Sequence, residues 1–251
     1  MRQAYDDQRP GSLGSMTSIS AGRILDLALA SVGILLLSPV LALICIGILL
    51  EDGRPIFFSQ TRLGLKGRHF KIYKFRKFYK TIDKTLPLTL NHDPRMTRFG
   101  RFLARTKLDE LPQFWNILKG DMSFVGPRPE STDFADCYTE EYQKLLEYKP
   151  GIFGPSQVAY RDECLLYPAN EDPLQYYRAV LFHQKANNDL AYYPRRTIAG
   201  DLKWIIIGLL AVVRISPTAQ ASARPSGLAP AGTVPRNTIS SNGSLFAKAK
   251  T

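Results

Sequence analysis

The sequence predicts an α/β protein, mainly helical with one small β-hairpin or sheet, carried behind an N-terminal membrane-embedded helix. Three observations lead there: an uncharged apolar run over 27–50, two β-rich stretches separated by Gly64-Leu65-Lys66-Gly67, and five later stretches of helical periodicity. The chain divides into a polar tail at 1–18, a membrane segment at 19–52, a folded domain at 53–215, and an Ala-, Ser-, Pro- and Gly-rich tail at 216–251. Both tails are predicted to be disordered. With 251 residues and 45% hydrophobic content, the chain can bury one good-sized core or two small ones.

The membrane segment comes first. Its 24 uncharged residues, rising ~1.5 Å each as a helix, would cover a hydrocarbon core of ~30 Å. A cleavable signal peptide fits poorly, because the apolar stretch exceeds the usual ~7–15 residues and no small-x-small cleavage site follows. Ser38-Pro39 interrupts the middle of the run. Proline removes a backbone donor and crowds the preceding turn, so a kink is expected, with Ser38 able to satisfy the freed carbonyl. The residues leave two topologies open, a kinked span and a re-entrant helix-break-helix. Lys and Arg crowd the chain after Leu50, which puts the following domain in the cytoplasm.

Pro55-Ile56-Phe57-Phe58 and His69 through Phe75 then read as the two arms of a hairpin. Cationic and apolar residues alternate along them, which suits either a guarded edge strand or a phosphate-binding surface. Helices are expected at 98–105, 110–118, 140–148, 173–189 and 198–213. The last contains about ten apolar residues from Trp204 to Val213, too few to span a bilayer. It is either a core helix or one lying in the interface with Lys203 and Arg214 at the headgroups.

Charge is concentrated. The formal net charge is +11, and the segment 54–107 carries 15 Lys or Arg against Asp83 and Asp93, so the remainder is close to neutral. Such a field favours nucleic acid, an acidic membrane surface or phosphorylated substrates. Cys45, Cys137 and Cys164 are odd in number and widely spaced, which argues against a disulfide framework or zinc site and for reduced packing residues. His69, His92 and His183 are isolated, so no transition metal is predicted.

The most informative stretch is Lys107-Leu108-Asp109-Glu110-Leu111-Pro112-Gln113-Phe114-Trp115-Asn116. Proline is tolerated in a first helical turn, so a helix is expected to begin near Asp109 and to leave the acid pair at its N-terminus. Unpaired amides and the helix dipole there favour ionised carboxylates, which can act as nucleophile or Mg²⁺ ligand. A plain N-cap followed by a first-turn Glu is the ordinary alternative. Two acids amid many cations are, however, the mixture that a phosphoryl-transfer site requires. Downstream, Pro127 and Pro129 flank Arg128, either presenting its guanidinium to a phosphate or stiffening a surface loop.

Taken together, these pieces resemble the bacterial sugar transferases, the monotopic polyprenol-phosphate phosphoglycosyl transferases that initiate capsule, exopolysaccharide, O-antigen or glycoprotein glycans. The matching runs are the apolar segment with Ser38-Pro39, Pro55 to Gly64, Phe70 to Arg76, Asp93 to Gly100, Leu108 to Asn116, Gly120 to Glu130, and Lys149 to Val158. They occur in order over roughly 23–213. The resemblance implies a re-entrant membrane helix kinked at Ser38 and Pro39, with both chain ends in the cytoplasm at the bacterial inner membrane. It implies that Asp109 attacks the β-phosphate of a UDP-sugar, releases UMP, and passes the phosphosugar to a polyprenol phosphate such as undecaprenyl phosphate. Glu110 assists as metal partner or base, and Mg²⁺, held by Asp109 and Glu110, is the implied cofactor. Lys74, Arg76 and Arg128 match positions where cations meet phosphate or nucleotide. A homodimer is compatible with the resemblance, and no nucleic-acid partner is expected.

The chain departs from the family pattern in places. An Arg common five residues before the acid is Ala104 here, so Arg105 or Arg101 is the candidate phosphate anchor, and a common Ser two residues before is Lys107. The strand motif ends Phe75-Arg76-Lys77-Phe78 where Phe-Arg-Ser/Thr-Met is usual. The compact form of the family, without a multi-span N-terminal region, is expected. Two other function classes remain to be separated: a membrane-tethered nucleic-acid binder, which leaves Asp109 and Glu110 unexplained, and a glycosyltransferase that releases UDP.

Overall fold

The computed structural model describes residues 20–80 and 87–213, so the two predicted tails and Arg214 lie outside the described residues. The helices are α1 (Ala21–Asp52), α2 (Arg98–Thr106), α3 (Gln113–Lys119), α4 (Pro155–Ala159), α5 (Pro173–Tyr176), α6 (Phe182–Tyr192) and α7 (Ile198–Val213). Strands β1 (Phe57–Leu63) and β2 (His69–Phe75) form the antiparallel hairpin, in register from Phe57 opposite Phe75 to Leu63 opposite His69. A second, parallel pair joins β3 (Ser123–Val125) to β4 (Gly151–Phe153). A mainly helical α/β fold with small sheets is thus what the chain adopts.

Local differences from the sequence reading are instructive. The stretch 140–148 forms 3-10 turns over Tyr142–Glu147 rather than an α-helix. The stretch 173–189 is helical throughout, but α5 and α6 are joined by a π-helical segment, Tyr177–Leu181. α1 runs as one unbroken helix through Pro39, not as two helices separated by a break. The physical reason lies beside it: Pro39 cannot bond the Leu35 carbonyl, and the Ser38 hydroxyl donates to that same oxygen at 2.8 Å.

α1 is long and apolar enough to cross a membrane by length and composition. Its outward side chains are bare, with Leu35 73% and Leu50 83% exposed. Yet both ends are fastened to the same domain. Near its start, Arg23 donates to the carbonyls of Ile117 and Leu118 at the end of α3, and Asp26 accepts from Ser123 Oγ and Phe124 N, each at 3.0 Å. At its end, Asp52 pairs with Arg76 just past β2. Between these anchors α1 packs closely. A Cβ at Gly33 would come within 2.7 Å of the Phe114 ring, and one at Gly47 within 2.7 Å of Phe99. Glycine is therefore required where α3 and α2 approach the helix.

Two apolar clusters result. The larger unites α6, β3 and the end of α3 around Tyr177, Phe134, Met122 and Ile117. The smaller packs Ile44 and Ile48 of α1 against Phe75 and Leu103, with Val40, Leu41, Leu108 and Leu111 on its margin. The acid pair sits between Leu108 and Leu111, so the second cluster fixes its position.

Candidate active site

α2 ends at Lys107, whose left-handed backbone (φ 58°) turns the chain away from the helix axis. Leu108–Glu110 then form a separate 3-10 turn, and Pro112 caps α3. The acids therefore precede the helix rather than opening it, a correction to the sequence reading: the left-handed turn at Lys107 and the cap at Pro112 isolate them. With Leu108 and Leu111 packed toward α1, Asp109 and Glu110 turn the other way, into a cleft of about 760 Å³. That volume lies within the ~300–1,000 Å³ common for small-molecule sites.

Cations, rather than a helix terminus, face this pair. Lys74 of β2 donates to Glu110 Oε1 at 2.7 Å, and Arg128 approaches the same oxygen at 4.0 Å. Lys77 lies 3.7 Å from Asp109 Oδ2. Burial alone would raise the Glu110 carboxyl, but Lys74, Arg128 and Lys107 outweigh it and hold the group well below the usual carboxylate range. Burial presses Lys74 down to about 8 against the pull of Glu110. Arg128 is also desolvated, but Glu110, Glu163 and Glu130 together raise it and keep it cationic.

Asn116 of α3 places Lys74. Its side chain accepts from Tyr73 N at 3.1 Å and donates to Lys71 O at 2.7 Å, completing the open edge of β2 as another strand would. Arg128 follows β3 on a loop that is pinned two residues later. Lys185 of α6, 5% exposed, donates to Glu130 at 2.9 Å, Glu163 at 3.0 Å and Tyr177 at 2.7 Å, using all three of its protons. Glu163, despite its burial, is held low, at about 2, chiefly by Lys185 and Arg128.

Of the residues singled out from sequence, Lys74, Asp109, Glu110 and Arg128 come together. Arg105 is exposed on the cleft rim beside Arg101. Arg76 is a correction. Its five N–H donors are all engaged, by the Pro55, Phe78, Asp52 and Gly53 carbonyls and the Asp52 carboxylate, leaving none for a phosphate. It fastens the end of α1. Ser38 and Pro39 lie on α1 next to Val40 and Leu41, which pack with Leu108 and Leu111.

Lys77, Asn116, Glu130, Glu163 and Lys185 were not singled out. Lys77 stood in the sequence as a cation two residues past the strand, a signal that could have been used. Glu163 and Lys185 carry no local pattern and meet only through the fold.

Asp109 Oδ1 is buried and has no hydrogen-bond partner among the described residues, although Asp109 is only 2% exposed. A buried carboxylate oxygen with both lone pairs unused fits either attack on an electrophile or a metal bond. Among the described residues no group of three or more His, Cys, Asp and Glu is placed to hold a metal. Mg²⁺, however, ordinarily takes one or two carboxylates and completes its shell with phosphate oxygens and water, and Asp109 with Glu110 is a donor set of that size.

Comparison with known proteins gives a consistent picture. A family model described as bacterial sugar transferase matches residues 17–215. A protein of Streptococcus agalactiae named galactosyl transferase CpsE is 34% identical over 205 residues, covering 77% of this chain and 42% of that protein. The UDP-glucose:undecaprenyl-phosphate glucose-1-phosphate transferase of Escherichia coli is 43% identical over 141 residues, covering 53% and 30%. A UDP-N-acetylgalactosamine-undecaprenyl-phosphate N-acetylgalactosaminephosphotransferase of Aeromonas hydrophila is 39% identical over 142 residues, covering 55% and 34%. The chain thus spans less than half the length of these relatives.

Proposed function

The chain belongs to the bacterial sugar transferase family, and on that premise we propose that it transfers a sugar-1-phosphate from a UDP-sugar to a polyprenol phosphate at the cytoplasmic face of the bacterial inner membrane. Asp109 Oδ1 attacks the β-phosphorus of the donor. The bond from that phosphorus to the bridging oxygen breaks, its electron pair leaves with UMP, and an aspartyl-phosphosugar remains. An oxygen of the polyprenol phosphate then attacks the same phosphorus, expels the Asp109 carboxylate, and gives polyprenyl-diphosphate-sugar.

The observation that carries this reading is the unpartnered, buried Asp109 Oδ1, on a carboxylate that Lys77 faces and beside a Glu110 that Lys74 and Arg128 face. Lys74, Lys77 and Arg128 are placed to balance the donor's diphosphate once it displaces them from the acids. Glu110 serves as metal partner or as base for the acceptor. Asp109 and Glu110 would hold Mg²⁺, whose contribution when bound is to neutralise charge on the phosphates. The names of two relatives, which pair a UDP-sugar with undecaprenyl phosphate, support the substrate classes.

We also read α1 as monotopic. Attachment of both its ends to one domain supports a helix that rests in one leaflet without carrying the N-terminus across.

Asp109→Asn tests the chemistry. In membranes free of wild-type enzyme, UMP release from a panel of UDP-sugars with polyprenol phosphate should fall by at least about 10³-fold. Intact-mass spectra of the wild type after donor treatment should show one sugar-phosphate adduct, absent from the variant. Near-normal turnover by the variant would remove Asp109 from its role, and UDP as product would replace the mechanism.

A further inference from the structure

The buried hydrogen bonds behind Arg128 contain one acceptor too many. α4 opens at Pro155, and Ser156 and Gln157 in its first turn tie the β3–β4 pair to α6. Gln157 Nε2 donates to the Gly126 carbonyl at 2.7 Å and to the Gly151 carbonyl at 3.2 Å, which uses both amide protons and turns Oε1 the other way. Oε1 lies 3.0 Å from Ser156 Oγ, and the same hydroxyl lies 2.8 Å from Asp189 Oδ2 of α6. A serine hydroxyl has one proton. With Asp189 ionised, that proton serves either Gln157 or Asp189, and the remaining contact sets two acceptor oxygens against each other.

Burial makes the shortage costly, since Ser156 is 1% and Asp189 3% exposed. Asp189 Oδ1 already accepts from Ser156 N at 3.1 Å, so Oδ2 is the oxygen left to carry a proton. Once it does, every contact has a donor: Asp189 Oδ2–H to Ser156 Oγ, Ser156 Oγ–H to Gln157 Oε1, and Gln157 Nε2 to the two carbonyls. The surrounding charges agree. Lys185, one turn earlier on α6, is the cation that faces Asp189, and it spends its three protons on Glu130, Glu163 and Tyr177. Glu130, from the loop after β3, faces Asp189 with like charge, and Tyr138, Tyr160 and Tyr193 present neutral phenols. Burial, with Glu130 adding to it and Ser156 and Lys185 opposing, raises the carboxyl to about 7.

This chain of bonds ends beside the arginine of the site. Gly126 N donates to Phe153 O at 3.1 Å and Gly151 N to Pro127 O at 2.9 Å, so together with the Gln157 bond three hydrogen bonds clamp the backbone at 126–127 to its neighbours. The approach is close: a Cβ at Gly126 would fall 2.0 Å from the Lys149 carbonyl oxygen. Arg128 comes next in the chain, and its guanidinium reaches to 4.0 Å from Glu110 Oε1.

We propose that Asp189 is a proton-bearing positioning residue: as the neutral acid it donates to Ser156, Ser156 donates to Gln157, and Gln157 holds the Gly126 carbonyl so that Arg128 is presented to the donor diphosphate. This rests on the transfer reading above and adds to it a residue that acts on the donor site only through others. Asparagine at 189 reproduces the neutral acid, with Oδ1 for Ser156 N and an Nδ2 proton for Ser156 Oγ, whereas leucine supplies neither.

Infrared pH-difference spectra of the full chain in nanodiscs, on wild type, Asp189→Asn and Ser156→Ala, read the proton. Wild type should show the carbonyl stretch of a protonated carboxylic acid at pH 6, fading as pH rises past about 7. That band should be missing from Asp189→Asn and should move to higher frequency in Ser156→Ala, where the acceptor is gone. Initial rates at pH 6.5, with UDP-sugar and polyprenol phosphate each varied, read the positioning. Asp189→Leu and Gln157→Leu should raise the KM for the UDP-sugar about fivefold and leave that for polyprenol phosphate within about twofold, while Asp189→Asn keeps both within about twofold. Loss of folded enzyme lowers kcat without this split, so a merely structural role cannot imitate it. An acid band that persists in Asp189→Asn, an Asp189→Asn enzyme as impaired as Asp189→Leu, or leucine variants with both KM values unchanged would overturn the proposal. Absence of turnover by the wild type on any UDP-sugar would instead strike the transfer reading, and the infrared arm would still decide the proton.

Discussion

Lys185→Met is the most demanding test of how the site is held. The lysine is 5% exposed, and its ammonium bridges Glu130 and Glu163 at 2.9 and 3.0 Å, so those carboxylate oxygens lie no more than about 6 Å apart. Methionine fills the space but brings no charge. Two ionised carboxylates at that separation repel by roughly 3 kcal/mol at an effective dielectric of about 20, and Tyr177 loses its strongest partner. Breaking a buried pair in this way typically costs about 3–5 kcal/mol. For a domain of this size each kcal/mol lowers Tm by about 2–4 °C, so a fall of roughly 6–20 °C is expected. The penalty depends on pH with a definite sign. With the ammonium gone, Glu163 loses the chief group that holds it low against burial, so the added destabilisation is present at neutral pH and shrinks as acid protonates that carboxyl. Thermal melts of nanodisc samples at pH 5 and 7.5 measure it, with Glu130→Gln added to Lys185→Met as the closing arm of a double-mutant cycle. A Tm within 2 °C of wild type at pH 7.5, or a larger loss at pH 5, would refute the account. Because Glu130 lies two residues beyond Arg128, activity should fall with stability.

Three other outcomes follow from particular groups. Lys74 is pressed by burial to about 8, so kcat/KM should decline as pH rises through 8 and the charge facing the donor is lost; Lys74→Arg should move that limb above about pH 9. As a carboxylate, Asp189 accepts from Ser156 N at 3.1 Å and Ser156 Oγ at 2.8 Å, yet burial raises it to about 7. Its folded value exceeds its unfolded one, so wild-type stability declines from about pH 4 to 7; the gain from Asp189→Asn should be on the order of 2 kcal/mol larger at pH 8 than at pH 5, as thermal melts would read. For topology, a cysteine introduced at Ser12 in intact cells should react only with a membrane-permeant reagent, and labelling by an impermeant one would mean that α1 crosses.

Much of the fold could be read from sequence where the signal is local. The Gly64-to-Gly67 turn lies between two β-rich arms, and the hairpin forms there; α2 and α7 occupy their periodic stretches. Ser38 donates to the carbonyl that Pro39 frees, as the sequence allowed, and the helix continues through it. Other readings failed. The acid pair suggested a helix start, but a left-handed Lys107 inserts a separate turn. Arg76 had the right residue type just past the right strand, and only its five occupied donors show that it is a fastener. Lys185 and Glu163 meet across a gap of more than twenty residues, a pairing that no spacing rule contains.

On the transfer reading proposed above, the site must reconcile a highly charged donor with an apolar acceptor, and one short turn would make that reconciliation. Leu108 and Leu111 point into the cluster formed with Val40 and Leu41 of α1, while Asp109 and Glu110, on the residues between them, face Lys74, Lys77 and Arg128. The turn therefore has an apolar side against α1 and an ionic side in the cleft. Charging the apolar side would tilt the acids out of line, and neutralising the cations would leave them buried without counter-charge, costing several kcal/mol per ion. The unbroken α1 and the crowded basic segment that follows it thus meet at one turn: Asp109 lies between two leucines that pack with α1, and Lys77 of the basic segment faces its carboxylate.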